Sequence, residues 1–417
     1  MAERSSTSIR KSCTICLPIA EDTYRTIMDS WTEVRSWLME SYRESPELCP
    51  AGFDLGFAQR DSRMSKRMSL RIWRITLNNH GGNYSIRPSF VTPHLTARTE
   101  DVEKGLYLRK YGVPYEAIAS ATGRNRMFWY RLENSLGRNS LVGTTVRRGV
   151  LPNQLVADEH HQKANRIKIF IATTVGAGCC LGAAVAANAG TEALIEAYGI
   201  FRDEVWDIDP TYEPESVNTD GWKSTIAAWR HNFENAAMLR CFLHGWLKIR
   251  DRGKHLAEFR EIGDRVWDAY EATTVSTFRR RLRQLKRWSE EHLPPGPACM
   301  EVLDLCSKEN LWALAYDHPD GHRTSNMLDR IMRGMCRFFD QGQHLPGCLV
   351  VSNRRARAWG LLHNFAPWSP QSIRRNGGYQ SPAERLNGHR YHPSWLQNLL
   401  ISASLGGYRN VPPQKAG

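Results

Sequence analysis

The sequence predicts an α/β fold, a mixed β-sheet core that carries a helical insertion and follows an all-helical unit and a small α+β region. Three observations lead there. Short apolar, β-favouring runs alternate with helical ones between Leu151 and Phe242. From His244 to Tyr316 the pattern turns helical and long, in several amphipathic stretches. Three short helical segments between Asp101 and Leu136 are punctuated by Gly112 and Gly123.

Residues 1–97 form the N-terminal region. An amphipathic stretch from Asp22 to Tyr42 precedes strand-like pieces at Ser69 to Leu77 and Tyr84 to Phe90, and an accessory or end-binding region with a small core of its own is expected. Cys13 and Cys16 have the spacing of a zinc knuckle, which Cys49, His80 or His94 could complete. No second close pair exists, so ordinary buried thiols are the preferred reading. Ten irregularly spaced cysteines behind a polar N-terminus without a signal-peptide pattern point to reduced thiols and a cytoplasmic, nucleoid-associated location.

Residues 98–148 read as a helix-turn-helix. Helices are expected from Asp101 to Tyr111, Pro114 to Ala121 and Asn125 to Leu136. Ala119 and Gly123 stand four apart, a small residue where two helices touch and then one that tolerates positive φ in the turn. Ile118, Trp129 and Leu132 take the buried positions. This leaves Asn125, Arg126, Tyr130, Arg131 and Asn134 on the outer face, types that bond phosphates and base edges.

Residues 149–417 form the third unit. A strand holding Asp158, strands Ile167 to Val175 and Cys179 to Ala187, helix Thr191 to Tyr198, a strand ending at Asp220, helix Ser224 to Asn232 and strand Ala237 to Phe242 follow in order. This β-β-β-α-β-α-β series is the order of a ribonuclease H-like domain, in which the first and fourth strands are neighbours. Asp158 and Asp220 would then meet at one end of the sheet. The uncharged run Ile169 to Ala187 just reaches membrane-spanning length, but its threonines and the Gly176-Ala177-Gly178 centre make it a hairpin, and no membrane contact is expected.

A helical insertion is expected over about 245–320. In it Arg279, Arg280, Arg281, Arg283, Lys286 and Arg287 surround Phe278, Leu282, Leu285 and Trp288, so Arg280, Arg283 and Arg287 are candidates for tracking phosphates. Beyond the breaker at Asp317 to Gly321 a helix should run from Thr324 to Phe339. Asn326, Asp329, Arg330 and Arg333 share its polar face, and Arg330 and Arg333 would flank an acid beside DNA.

Asp158, Asp220 and Asp329 thus converge only through the fold. Hard divalent cations take oxygen ligands, and phosphodiester chemistry with two metal ions needs such convergence. Composition agrees in sign: 56 Lys plus Arg against 43 Asp plus Glu give a formal charge of +13 and favour a polyanionic partner. The 41% of hydrophobic residues suffices for packed cores and excludes a disordered chain.

With these motifs in place, the chain resembles the DDE/D transposases of bacterial insertion sequences, on the Mutator-like side of that superfamily with an all-helical insertion. Cys241-Phe-Leu-His244 is similar to the Cys-x-x-His element at the end of the strand after their second Asp. Thr324-Ser-Asn326-Met-Leu-Asp329 is similar to their Thr-x-Asn-x-x-Glu element with Asp for Glu, and Gly360 to Phe365, Ser381 to Leu386 and Leu396 to Arg409 resemble their tails. The resemblance covers about residues 100 to 410. It implies a transposase that cleaves phosphodiester bonds at the ends of a DNA element and joins the 3′-OH to target DNA, with Asp158, Asp220 and Asp329 as ligands of Mg²⁺ or Mn²⁺. Glu159, His160 and His161 follow the first Asp closely and could orient water or backbone, but a structural or supporting role is the preferred reading for each, as it is for Cys241, His244 and Asn326. Expected partners are double-stranded DNA, as element ends and target, and further copies of the chain in a homodimer or higher oligomer. A ribonuclease H-like nuclease or resolvase and a non-catalytic helix-turn-helix regulator are the alternatives.

Overall fold

The computed structural model describes residues 12–79, 81–164, 167–340 and 348–409. In the N-terminal region β1 (Thr14–Leu17) is followed by α1 (Glu21–Ile27), α2 (Trp31–Glu44), β2 (Phe57–Ser65), β3 (Leu70–Leu77) and β4 (Asn83–Pro88). The strands form one sheet in the order β1-β4-β3-β2, with β1 parallel to β4 and the other pairs antiparallel. The sequence revealed β3, whose apolar positions alternate; β2 exposes most of its residues and β1 spans only four, so neither carries that pattern.

Next come α3 (Glu100–Lys110), α4 (Tyr115–Thr122), α5 (Arg126–Leu136) and α6 (Leu141–Thr145). Gly123 ends α4 in the left-handed region at φ 69°, as the turn requires. Gly105 lets α3 close on α5, since a Cβ there would stand 2.3 Å from the Trp129 ring. Buried Glu133 ties the unit together, accepting from Arg109 Nε and Tyr115 Oη at 2.7 Å each.

The central sheet consists of β5 (Gln154–Ala164), β6 (Ile167–Gly176), β7 (Cys179–Ala186), β8 (Ser216–Thr219) and β9 (Ala237–Arg240), in the order β7-β6-β5-β8-β9. β5, β6 and β7 are antiparallel neighbours; β8 and β9 run parallel to β5. The run once measured against a membrane is the β6–β7 hairpin, with Ala177 at φ 51° and Gly178 at φ 80° in its turn. Helices α7 (Thr191–Ile208), between β7 and β8, and α8 (Lys223–Asn232), between β8 and β9, cover one face through Tyr198, Phe201, Trp229 and Phe233.

After β9 the chain forms α9 (Phe242–Gly253), α10 (Phe259–Tyr270), α11 (Val275–His292), α12 (Pro297–Ser307) and α13 (Glu309–Ala313), which enclose an apolar core of their own. Phe242 N donates to Arg323 O at 3.0 Å, so the insertion leaves and rejoins the core at one point. Then follow α14 (Asn326–Asp340), α15 (Leu349–Phe365), α16 (Pro370–Arg375), α17 (Pro382–Asn387) and α18 (Trp395–Ser402).

The tail motifs have structural work. Asn364 accepts from Cys180 N at 2.8 Å and donates to Cys180 O at 2.7 Å, pairing with part of the outer strand β7. Ser381 caps α17 by accepting from Glu384 N at 3.3 Å, and the Glu384 carboxylate reaches back to accept from Gln380 N at 2.9 Å. One apolar cluster runs from Ile15, Trp73 and Ile75 through Leu106, Trp129 and Leu136 to Val156, Ile171, Leu328 and Trp359. The core of the N-terminal region therefore continues into the rest of the chain and does not stand apart.

Candidate active site

The parallel register Leu155↔Val217 and Val156↔Asn218, carried two residues on, brings Asp158 level with Asp220 at the end of β8. Side chains alternate along a strand, so Val156 and Asp158 share the face that α14 packs against, while Glu159 points to α7 and α8. Glu159 is buried there, its carboxyl accepting from Tyr198 Oη and Thr225 Oγ1 at 2.8 Å each. Burial raises its pKa to about 7 despite these bonds. Its place is in the packing behind the sheet, away from a water or DNA backbone at Asp158.

Asp158 is largely enclosed. Burial first, and then the negative charge of Asp220 with a smaller push from Asp329, raises its pKa to about 6. The three acids thus feel one another's field. Glu159 N donates to Asp158 Oδ1 at 2.8 Å and Trp222 N to Asp220 Oδ1 at 2.7 Å, fixing one oxygen of each.

Asp329 lies in the first turn of α14. Ser325 Oγ donates to its Oδ2 at 3.0 Å, Cys241 Sγ donates to Ser325 Oγ at 3.4 Å, and Ser325 N returns a bond to Cys241 Sγ at 3.2 Å. A chain of three side chains therefore links the end of β9 to the third acid. Ser325, only 2% exposed, has the supporting position expected of Asn326, which is exposed. A serine beside an asparagine gives no pattern from which this difference could be read.

His244, in the first turn of α9, sits between Cys241 and the acids. Its contact with Cys241 and then the charges of Asp158 and Asp220 hold its pKa at about 9, so the imidazole is charged at neutral pH. Burial would raise the Cys241 thiol, but His244 and Ser325 outweigh it and hold it below its ordinary value. The His244 Nδ1 is buried with no hydrogen-bond partner among the described residues. Arg240, at the end of β9, lays its guanidinium over Gly221, within 2.6 Å of where a Cβ would stand; glycine leaves that room beside Asp220.

Among the described residues no group of three or more His, Cys, Asp or Glu is gathered so that it could hold a metal ion. The donor set still suits a hard cation. It consists of carboxylate oxygens, and burial first, then the charges of Asp220 and Asp329, disfavour the ionised form of Asp158, a cost that a bound cation would relieve. In the N-terminal region Cys16 and Cys49 are buried in the apolar core and Cys13 is half-buried; His80 lies outside the described residues.

The expected DNA-contacting residues divide. Arg131 is exposed, Arg126 is exposed but paired with Glu116 at 2.9 Å, and Asn125 caps α5 by accepting from Met127 N at 2.8 Å. Tyr130 is half-buried, edge-on to Tyr115. Asn134 departs from expectation: it is buried and donates to Tyr130 O at 2.9 Å, because α15 packs against that side of α5. On α11 Phe278, Leu282, Leu285 and Trp288 face inward, Arg279 and Arg281 pair with Glu309 and Asp268, and Arg280, Arg283 and Arg287 form an exposed stripe. Arg330, Arg333 and Arg337 form a second exposed stripe on α14. His160 and His161 serve packing, His160 at 3.6 Å from Cys336 Sγ and His161 edge-on to Phe170.

No protein-family model matches the chain, and no curated protein is significantly similar to it. Among the described residues no helix is long and apolar enough to cross a membrane.

Proposed function

We propose that this chain is a metal-dependent DNA transposase with a ribonuclease H-like core. The observation that carries the reading is the placing of Asp158 and Asp220 level on neighbouring parallel strands of a β7-β6-β5-β8-β9 sheet, with Asp329 on the helix packed over β5 and within their field. Asp158, Asp220 and Asp329 would hold Mg²⁺ or Mn²⁺. When bound, two such ions supply Lewis acidity to the attacking and leaving oxygens of an in-line phosphoryl displacement.

The protein's own groups do the rest. Backbone N–H bonds hold one oxygen of Asp158 and one of Asp220, and the other oxygens remain for ligation. Ser325 aims Asp329 through the Cys241 link. Charged His244 offsets part of the acidic cluster and keeps it compact before a cation arrives. Arg240 at the site and Arg330 and Arg333 along α14 offer charge to the phosphates on either side of a scissile bond, and the α11 stripe extends that surface. No protein nucleophile is required; water and then a 3′-OH attack phosphorus.

The test begins with the DNA on either side of the coding region, where inverted repeats are expected, and uses the full chain with a duplex carrying them. Cleavage and end joining are expected in Mg²⁺ or Mn²⁺, and binding without cutting in Ca²⁺. Asp158→Asn and Asp220→Asn should bind but not cut. Cutting without joining would replace the reading by a nuclease or resolvase, and binding without cutting in any divalent metal by a regulator.

A further inference from the structure

We infer that the cleft between α5 and the N-terminal sheet grips one sugar-phosphate strand of duplex DNA, which makes residues 12–99 part of the DNA-holding surface. This rests on the reading of the chain as a DNA-binding protein and extends it to a region for which that reading names no contact residues.

Two adjoining cavities, of about 390 and 360 Å³, share Pro93, His94 and Ser135 and follow α5 along its flank. The first takes Arg67 from the β2–β3 turn and Arg131 from α5; the second takes Arg87 from β4 and Arg138 from just beyond α5. Each wall thus brings two arginines, and no Asp or Glu lines either cavity. A cleft with charge of one sign on both sides focuses its field on an anion within it.

Arg87 is the most telling of the four. It is 8% exposed, donates to Val91 O at 2.7 Å, and none of the described acids forms an ion pair with it. A buried charge without a counter-ion is costly, and a phosphate in the cleft would supply one. The shared wall is also strained: His94 and Leu95 take left-handed φ values of 62° and 54° in the turn that Thr92 braces by accepting from Ala97 N at 3.0 Å. Side-chain-bearing residues are held in that region mainly where surrounding structure enforces it, often at ligand clamps.

The occupant follows from shape and charge. Cavities of this size admit a single backbone strand, not a whole duplex, and one strand presents a phosphate about every 3.4 Å of helix axis. The same cleft contains Asn125 and Met127 from the start of α5, so a strand gripped there would bring the adjoining groove to the end of that helix.

Fluorescence anisotropy of the full chain with a random-sequence duplex, over a range of salt, tests the assignment. Removing two phosphate contacts in Arg67→Ala/Arg138→Ala should weaken binding about tenfold at moderate salt and lower the log–log salt slope by about 2. Arg67→Lys/Arg138→Lys should retain the wild-type slope. Should the alanine pair fail to fold, the single reversal Arg67→Glu in a surface turn carries the same test. An unchanged slope in the alanine pair, or an equal loss in the lysine pair, overturns the cleft while leaving the transposase reading intact. A wild-type chain that binds no duplex, or prefers single-stranded RNA, overturns both.

Discussion

Two sets of enclosed charge behave oppositely. In one, Arg109 and Arg355 converge on Glu133, and Arg357 meets Glu204, which also accepts from Leu141 N and Val142 N. Every acid there has its cation, and the pairs fasten α3, α5, α7 and α15 together. In the other, Asp158, Asp220 and Asp329 gather with one charged imidazole, and Asp158 is driven toward its neutral form. Matched buried charge belongs to the frame of a protein; unmatched buried charge marks where something else must bind.

The sharpest way to break this contrast is to neutralise the unmatched side. Asp158→Asn or Asp220→Asn should reduce DNA cleavage by at least about a thousandfold, because the ligand charge is lost while the shape stays. Thermal melting of either variant should match or exceed wild type, since a repulsion is removed. A clear loss of melting temperature would place these acids in the frame instead.

The opposite experiment strips the matched side. Glu133→Ala leaves Arg109 and Arg355 buried without an acid and should cost about 3–5 kcal/mol in denaturant unfolding. Changing the trio to apolar residues of similar volume should recover most of it. Equal stability of Glu133→Ala and wild type would show that these pairs carry little of the frame.

A smaller effect probes the support of the third acid. Ser325→Ala removes one hydrogen bond to Asp329, about 1 kcal/mol, and should raise the Mg²⁺ concentration for half-maximal cleavage several-fold. Melting should barely change, and Ser325→Thr should restore the metal response. A fall in maximal rate at saturating Mg²⁺ with an unchanged midpoint would contradict a positioning role.

The mildest test concerns pH. His363, stacked on Trp359 at 5.2 Å, is half-buried, and desolvation first and Lys110 second depress its pKa to about 3. The unfolded chain therefore binds a proton that the folded chain refuses, and stability present above pH 6.5 is lost as pH falls toward 3. The loss should reach about 2 kcal/mol by pH 5, and in His363→Gln this share of the pH slope between 6.5 and 5 should vanish.

Much of the central sheet was legible because its order depends on strong local patterns. The apolar runs of β6 and β7 and the Gly-Ala-Gly turn between them define the hairpin, and the Asp contexts fall within β5 and at the end of β8. Less was readable where tertiary contact decides. Asn134 belongs to a polar helical face by spacing, yet α15 covers it. Ser325, Arg240 and Arg87 matter through neighbours many residues away in sequence, and no local period announces them. The N-terminal sheet hid its role for a related reason, since the cleft exists only where two distant segments meet.

The bond from Phe242 N to Arg323 O has a consequence for how such chains vary. A segment that departs and returns through one pinch can lengthen, shrink or be replaced without altering the separation of the strands on either side of it. The distance in sequence between Asp220 and Asp329 is therefore nearly free to drift while their distance in space is not. Cys241 and Ser325, bonded to each other at the two sides of the pinch, would hold that spacing whatever the length of the helical loop between them.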